Sequence, residues 1–286
     1  MRPAPLIWRC REAELVCGSP AQMMGVLNVT PDSFSDDVHF FDHTAAIARG
    51  VEMTEQGAAI IDVGGESTRP GAEPVPLDEE IRRVIPVIEA LAETTQCLLS
   101  VDTTKAAVAD AALQAGAHIV NDITALGDPE MAEVIKHHGA GVVLMHMQGT
   151  PQTMQKNPMY SDVVGEIREF FYERINVALD AGIDRHCIAI DPGIGFGKTV
   201  MHNVRLVSEL DAFKEVRCPI MMGLSHKSFL GALTGRTVYD RLLPSLGALA
   251  FAITRGAHIL RVHDVKESCE MARLIAILQY GQVVTE

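Results

Sequence analysis

Ala59-Ile60-Ile61-Asp62-Val63-Gly64-Gly65-Glu66-Ser67-Thr68-Arg69 is a short, mostly apolar run that stops at two glycines and a string of polar residues. It is too short for a helix and does not alternate, so it predicts a strand buried on both faces. Beyond it, Leu77 to Thr95 places apolar residues three and four apart with charges between them, the spacing of a helix with one buried stripe. The same unit recurs in both directions. Strand-like runs lie at Met23 to Leu27, Leu98 to Val101, His118 to Val120, Gly141 to Met145, Ile188 to Ile190, Ile220 to Gly223 and Ile259 to Val262. Helical spacing lies at Thr44 to Gln56, Lys105 to Ala115, Pro129 to His138, Ser161 to Gly182, Asn203 to Phe213, Leu246 to Arg255 and Val265 to Tyr280.

Strand then helix, repeated eight times, predicts an α/β fold, a single (β/α)₈ TIM barrel. An open doubly wound sheet is the alternative, usually with fewer strands. Local signals agree: Asp78 is placed to cap its helix, Gly116 and Gly182 stand where a left-handed residue would end theirs, and Asp128-Pro129 reads as a cap followed by a first-turn proline. No Pro-, Gly- or Ser-rich linker divides the chain. Residues 22–286 therefore read as one barrel domain, and residues 1–21 as a short N-terminal extension with the length of a hairpin.

The 286 residues carry 24 Lys and Arg against 37 Asp and Glu, a net charge of -13, with 48% hydrophobic residues. That composition supports a large buried core and argues against a disordered chain. The acidic balance also argues against a nucleic-acid partner bound through its phosphates, though not against a small anion in one cleft. No stretch reaches the roughly 18 apolar residues of a membrane span, and Met1 to Arg11 has no apolar leader core, so a cytoplasmic protein is expected. The six cysteines are scattered without a C-x-x-C pair, which suggests reduced structural thiols.

Polar residues fall where the strand-like runs end. Asn28, Gly64 to Arg69, Asp102, Asn121-Asp122, His146, Asp191, Ser225-His226-Lys227-Ser228 and His263-Asp264 each follow one run, and Arg261 lies within the last. In a barrel these positions open onto one rim, the face that carries barrel active sites. Each has a bland account of its own: a lone Asp at a strand end is more often a helix cap, and Asp102 before Thr103-Thr104 fits that description. Asp191 resists it, because Asp-Pro-Gly does not run directly into a helix and glycines 193, 195 and 197 keep side chains out of the space beside it. Three motifs fail. Gly197-Lys198-Thr199 lacks the Walker glycine at position 192, which is Pro192; Gly223-Leu224-Ser225 lacks the last glycine of a nucleophile elbow; and Asn28-Val29-Thr30 is a glycosylation pattern in a chain with no secretory signal. Carboxylates and an Asn at the floor of a pocket suit a flat, amide-rich heterocycle such as a guanine or pterin, while Asn28, Arg261 and His263, on strands adjacent in a closed barrel, form a separate polar group suited to a phosphate or diphosphate.

Met24 to Asp36, Asp62 to Gly71, Ser100 to Thr103, Met145 to Pro151 and Asp191 to Lys198 together resemble the bacterial dihydropteroate synthases, pterin-binding barrels, in order from about residue 23 to about 265. The resemblance implies displacement of diphosphate from 6-hydroxymethyl-7,8-dihydropterin diphosphate by p-aminobenzoate. By motif position it implies a pterin pocket of Asp102, Asn121, Asp191 and Lys227 and a diphosphate group of Asn28, Arg261 and His263, with Mg²⁺ near Asn28. Phe34, Thr68, Arg69, Pro70, Phe196 and Ser228 would form the p-aminobenzoate side. Asp102, Lys227, Arg261 and His263 are the expected catalytic residues, with no nucleophile and no general base. Lys198 is expected to matter much less than Lys227. The resemblance also implies a sulfonamide target and a homodimer, with Leu246 to Ile253 as a suitable helix face. Two positions depart from the family pattern: Asp36-Asp37-Val38 stands where Asp-Gly-Gly is usual, and His226 where Arg is usual. A pterin-binding homologue without synthase activity and a methyltetrahydrofolate:corrinoid methyltransferase are the alternatives.

Overall fold

The computed structural model describes residues 5–30, 43–69 and 71–281. Phe34, Pro70 and the Asp36-Asp37-Val38 departure lie outside the described residues. The chain opens with an antiparallel pair, β1 (Leu6–Cys10) and β2 (Ala13–Cys17). Eight parallel strands follow: β3 (Gln22–Asn28), β4 (Ile60–Gly64), β5 (Leu98–Asp102), β6 (Ile119–Asp122), β7 (Gly141–Met145), β8 (Ile188–Asp191), β9 (Met221–Met222) and β10 (Ile259–Val262). They lie in the order β8-β7-β6-β5-β4-β3-β10-β9. A parallel bridge between Ile190 and Ile220 joins the two ends, so the sheet closes as a barrel.

Around it stand α1 (His43–Glu55), α2 (Leu77–Thr94), α3 (Ala106–Gln114), α4 (Met131–His138), α5 (Val163–Asp180), α6 (Val200–Ser208), α7 (Ser228–Thr234), α8 (Leu242–Arg255) and α9 (Val265–Tyr280). Gly116 and Gly182 adopt the left-handed φ expected of them, +112° and +92°. One expected cap is corrected. Pro76, not Asp78, precedes α2, and Asp78 joins Glu79 and Glu80 as first-turn acids, where the helix dipole favours them. Asp128 serves two helix starts: its Oδ1 accepts the N–H of Glu130, just before α4, at 3.0 Å, and its Oδ2 accepts the N–H of Ala106, the first residue of α3, at 2.9 Å. The Asn203 to Phe213 segment divides, because Thr199 and His202 form a capping box that starts α6 earlier, and residues Leu210–Val216 tighten into a 3₁₀ turn.

The barrel interior explains where the site must be. Met24, Ile60, Ile119, Val143, Ala189, Met221 and Ile259 share a buried cluster with Trp8, Cys10 and Cys17 of the hairpin. The hairpin thus plugs the N-terminal mouth, with Trp8 fully buried and its Nε1 donating to Cys187 O at 2.9 Å. Side chains of a strand alternate with period two. Two residues further along each strand, the next inward layer therefore comprises Val26, Asp62, Ser100, Asn121, Met145, Asp191, Gly223 and Arg261. The polar chemistry is one layer above a dry plug.

Candidate active site

Arg261 on β10 organises this layer. Its Nε donates to Asp62 Oδ2 and its Nη2 to Asp102 Oδ2, both at 2.6 Å, and Asn121 Nδ2 donates to the same Asp62 oxygen at 2.9 Å. Asp62 is fully buried, and its Oδ1 has no hydrogen-bond partner among the described residues. Burial, with the carboxylates of Asp62, Glu80 and Asp122 behind it, outweighs Arg261 and holds Asp102 up at about 7.

Across the pocket, burial also pushes Asp191 above the usual carboxylate range, even though its Oδ1 accepts Gly193 N–H at 2.7 Å and Lys227, Arg261 and Lys198 pull the other way. Lys227 is the N-cap residue of α7, and burial lowers its amine to about 8 against the attraction of Asp191. The Lys227 Nζ stands 4.5 Å from the centre of the Phe196 ring. Asp102, Asn121, Asp191, Lys227, Arg261, Thr68 and Phe196 line one cleft, together with Ile123, Met145 and Ile194.

The cleft therefore has carboxylate and amide acceptors on its floor, apolar walls and two cationic side chains, Lys227 and Arg261, an arrangement that pairs with a flat ring bearing several N–H groups. The family model for pterin binding enzymes matches residues 24–263. The chain belongs to that family. Among the pterin-binding enzymes, the dihydropteroate synthase of Escherichia coli strain K12 is 46% identical over 257 residues, spanning 90% of this chain and 91% of that one. A Yersinia pestis dihydropteroate synthase solved with a sulfonamide drug superposes with a TM-score of 0.91 at 40% identity, covering 97% of this chain and 100% of that one. A Xanthomonas albilineans dihydropteroate synthase in complex with 7,8-dihydropteroate gives 0.86 at 41% identity, covering 96% and 99%.

The structure brings most of the family-pattern residues of this chain to one rim, with two changes of arrangement. Arg261 does not stand apart with Asn28 and His263. It is bound into the carboxylate cluster, because the inward layer places it beside Asp62 and its guanidinium reaches up to Asp102 at the end of β5. His263 is a neutral polar group, held down at about 4 by burial and then by Arg261. Ser225 Oγ accepts the His263 backbone N–H at 3.3 Å and lies 3.0 Å from His263 Nδ1, a contact that holds the ring in place. Asn28 Oδ1 lies alongside Gly64, where an added Cβ would approach it to 3.8 Å. Arg69 and Ser228 are exposed at the mouth.

Some rim residues are structural. Asp122 spends both oxygens on the turn that follows it, accepting from Thr124 and Leu126. His226 sits at φ +56°, pairs with Asp264 Oδ2 at 2.8 Å, and receives Arg241 on its carbonyl.

Other residues were not singled out by the sequence. Asp62 was hidden inside an apolar run. Lys198, expected to be peripheral, is only 3% exposed. Glu80, also buried, accepts from Thr103 Oγ1 at 2.6 Å and pairs with Lys105, which in turn reaches Glu66 beneath the Thr68-Arg69 loop.

Proposed function

We propose that the chain is a dihydropteroate synthase, joining p-aminobenzoate to 6-hydroxymethyl-7,8-dihydropterin diphosphate with loss of diphosphate. The observation that carries this is the convergence of buried Asp102, Asn121 and Asp191 with Lys227 on one cleft floor, in a chain nearly half identical to such an enzyme over nine-tenths of its length. Asp191 and Asn121 pair with the amino and amide edge of the pterin, Lys227 with its ring oxygen, and Asp102, held by Arg261, with the remaining N–H. Thr68, Arg69, Phe196 and Ser228 are assigned to p-aminobenzoate, as are Phe34 and Pro70 beyond the described residues.

In the reaction the bond between the exocyclic methylene carbon and diphosphate oxygen breaks, and diphosphate leaves with the electron pair. The aromatic amine forms the new C–N bond and releases a proton to solvent. The amine is neutral near pH 7, so no general base is assigned. Asp102 and Asp191 beside the ring favour a developing cation at the methylene, while the His263 imidazole, Asn28 and the N–H groups of Arg261 not given to carboxylates are polar partners for the leaving group.

Mg²⁺ fits this arrangement. Among the described residues no cluster of three or more His, Cys, Asp or Glu side chains is placed to hold a metal, whereas Asn28 offers one amide oxygen at the rim. Mg²⁺ commonly takes one or two protein oxygens and completes its shell with water and substrate phosphates. When bound it would neutralise charge on the diphosphate.

We assign the enzyme to the cytoplasm, a reducing compartment that suits six free cysteines. A homodimer through α8 and α9 is supported by exposed Leu243 and Phe251 on the first and Leu274 and Leu278 on the second. Within the expected Leu246 to Ile253 face, Leu249, Ala252 and Ile253 are core residues. Replacing Leu243 and Phe251 by Glu should convert a dimer to a monomer in analytical ultracentrifugation; an unchanged mass would exclude this surface.

The synthase reading is tested by incubating the protein with both substrates and Mg²⁺ and looking for 7,8-dihydropteroate by mass spectrometry. Its absence, with pterin binding intact, would favour the non-catalytic homologue.

A further inference from the structure

Among the described residues, Lys198 is a buried amine, 3% exposed and lowered to about 7 by burial, whose purpose the reaction leaves open. Its Nζ lies 3.0 Å from His146 Nδ1, 3.2 Å from His146 O and 2.9 Å from Phe196 O. An ammonium has three N–H bonds, and here each has an acceptor. The imidazole can serve as one because burial, with Lys198 beside it, keeps His146 neutral by lowering it to about 3. Desolvating an ammonium is costly and is tolerated where every proton is bonded.

The three acceptors belong to two different pieces of chain. His146 directly follows β7, and Phe196 lies in the glycine loop after β8. That loop has no helix or strand of its own to fix it, with Gly193, Gly195 and Gly197 all at positive φ. It rests directly on the β7 end, where a Cβ on Gly193 would fall 1.9 Å from His146 O and one on Gly197 2.6 Å from Gln148 O. Other loop carbonyls have their own holders: Gln155 donates to Gly195 O and Tyr160 to Gly197 O. Lys198 is the donor to Phe196 O, and the Phe196 ring in turn faces Lys227 across the cleft.

We propose that Lys198 is a positioning residue for p-aminobenzoate: by tying the Phe196 carbonyl to the end of β7 it fixes the Phe196 ring at the mouth of the pterin pocket. This rests on the assignment of Phe196 to the p-aminobenzoate side. Asp102 and Asn121 of the pterin floor stand on β5 and β6, away from the tie, while Asp191 accepts the Gly193 N–H of the same loop and Lys227 faces the Phe196 ring, so loss of the tie falls more heavily on p-aminobenzoate than on the pterin.

The test is steady-state diphosphate release by the full-length enzyme carrying Lys198→Met, Lys198→Gln, Phe196→Ala, and each Lys198 change combined with Phe196→Ala. Lys198→Gln keeps an uncharged donor and serves if Lys198→Met does not fold. Expected is a rise of about tenfold in KM for p-aminobenzoate with Lys198→Met, less with Lys198→Gln, a KM for the pterin substrate within about threefold of wild type, and no further rise when either is added to Phe196→Ala. Equal loss toward both substrates, additivity with Phe196→Ala, or failure of both Lys198 variants to fold would overturn the proposal. If the wild-type enzyme itself shows no p-aminobenzoate-dependent release, the functional assignment fails instead.

Discussion

Arg261 and Asp62 meet in the barrel interior, with Nε 2.6 Å from Oδ2, one layer above the apolar plug that Trp8 completes. The pair is buried on the Asp62 side, and Arg261 also holds Asp102. Its loss leaves two carboxylates without their counter-ion. Breaking a buried pair from one side typically costs about 3–5 kcal/mol. Arg261→Met should therefore lower unfolding free energy in urea by roughly that amount. Adding Asp62→Asn should recover part of the loss, since it removes one orphaned charge; purely additive effects would show that the two residues are not coupled.

Asp191 and Lys227 should be more sensitive functionally than structurally. Each offers the pterin a charged hydrogen bond, worth about 1.5–3 kcal/mol. Asp191→Asn and Lys227→Ala should each weaken pterin binding, read by calorimetry, about ten- to hundredfold or more. Binding unchanged in either variant would remove that residue from the pterin floor.

The raised Asp102 gives a pH dependence with a defined sign. Its ordinary value is 3.8 and its folded value about 7, set by burial and by the Asp62, Glu80 and Asp122 carboxylates against Arg261. Its contribution to folding stability is full below about 4 and is lost as pH rises towards 7. Pterin binding, which uses the ionised form, should strengthen over that interval and level off above pH 7. In Asp102→Asn the portion of the profile between pH 5 and 7 should vanish; an unaltered profile would assign the titration elsewhere.

The Lys105 cluster should be mainly structural. Glu80 is 1% exposed and depends on Lys105 and Thr103. Lys105→Met should cost about 3 kcal/mol in stability, read by thermal unfolding, and Glu80→Gln in the same chain should reduce that cost. An unchanged melting temperature in Lys105→Met would show that Glu80 is satisfied without it.

What the sequence disclosed follows from how each feature is encoded. The strands are buried on both faces, so Ile60-Ile61-Asp62-Val63 locates a strand but hides which residues point inward. That is why Asp102, Asn121 and Asp191, at strand ends, could be picked out while Asp62, two residues before the end of its strand, could not. β9, two residues long, was still legible within the Ile220 to Gly223 run, whereas α7, only seven residues long, is too short for a periodic signal. Asp128 was legible at the start of α4, but its second bond, to Ala106 N twenty-two positions earlier in the chain, exists only in three dimensions. Lys198 was discounted for belonging to a failed phosphate-loop pattern, and its three acceptors come together only when β7 and β8 lie side by side. The pairing of Arg261 with carboxylates rather than with Asn28 and His263 likewise depends on barrel closure.

The central claim is that a pterin diphosphate bound on the Asp102, Asn121, Asp191 and Lys227 floor is attacked by p-aminobenzoate. The most direct measurement is diphosphate release from 6-hydroxymethyl-7,8-dihydropterin diphosphate, with Mg²⁺, in the presence and absence of p-aminobenzoate. Release that rises and saturates with p-aminobenzoate is the predicted result. Pterin binding with no p-aminobenzoate-dependent release would contradict it.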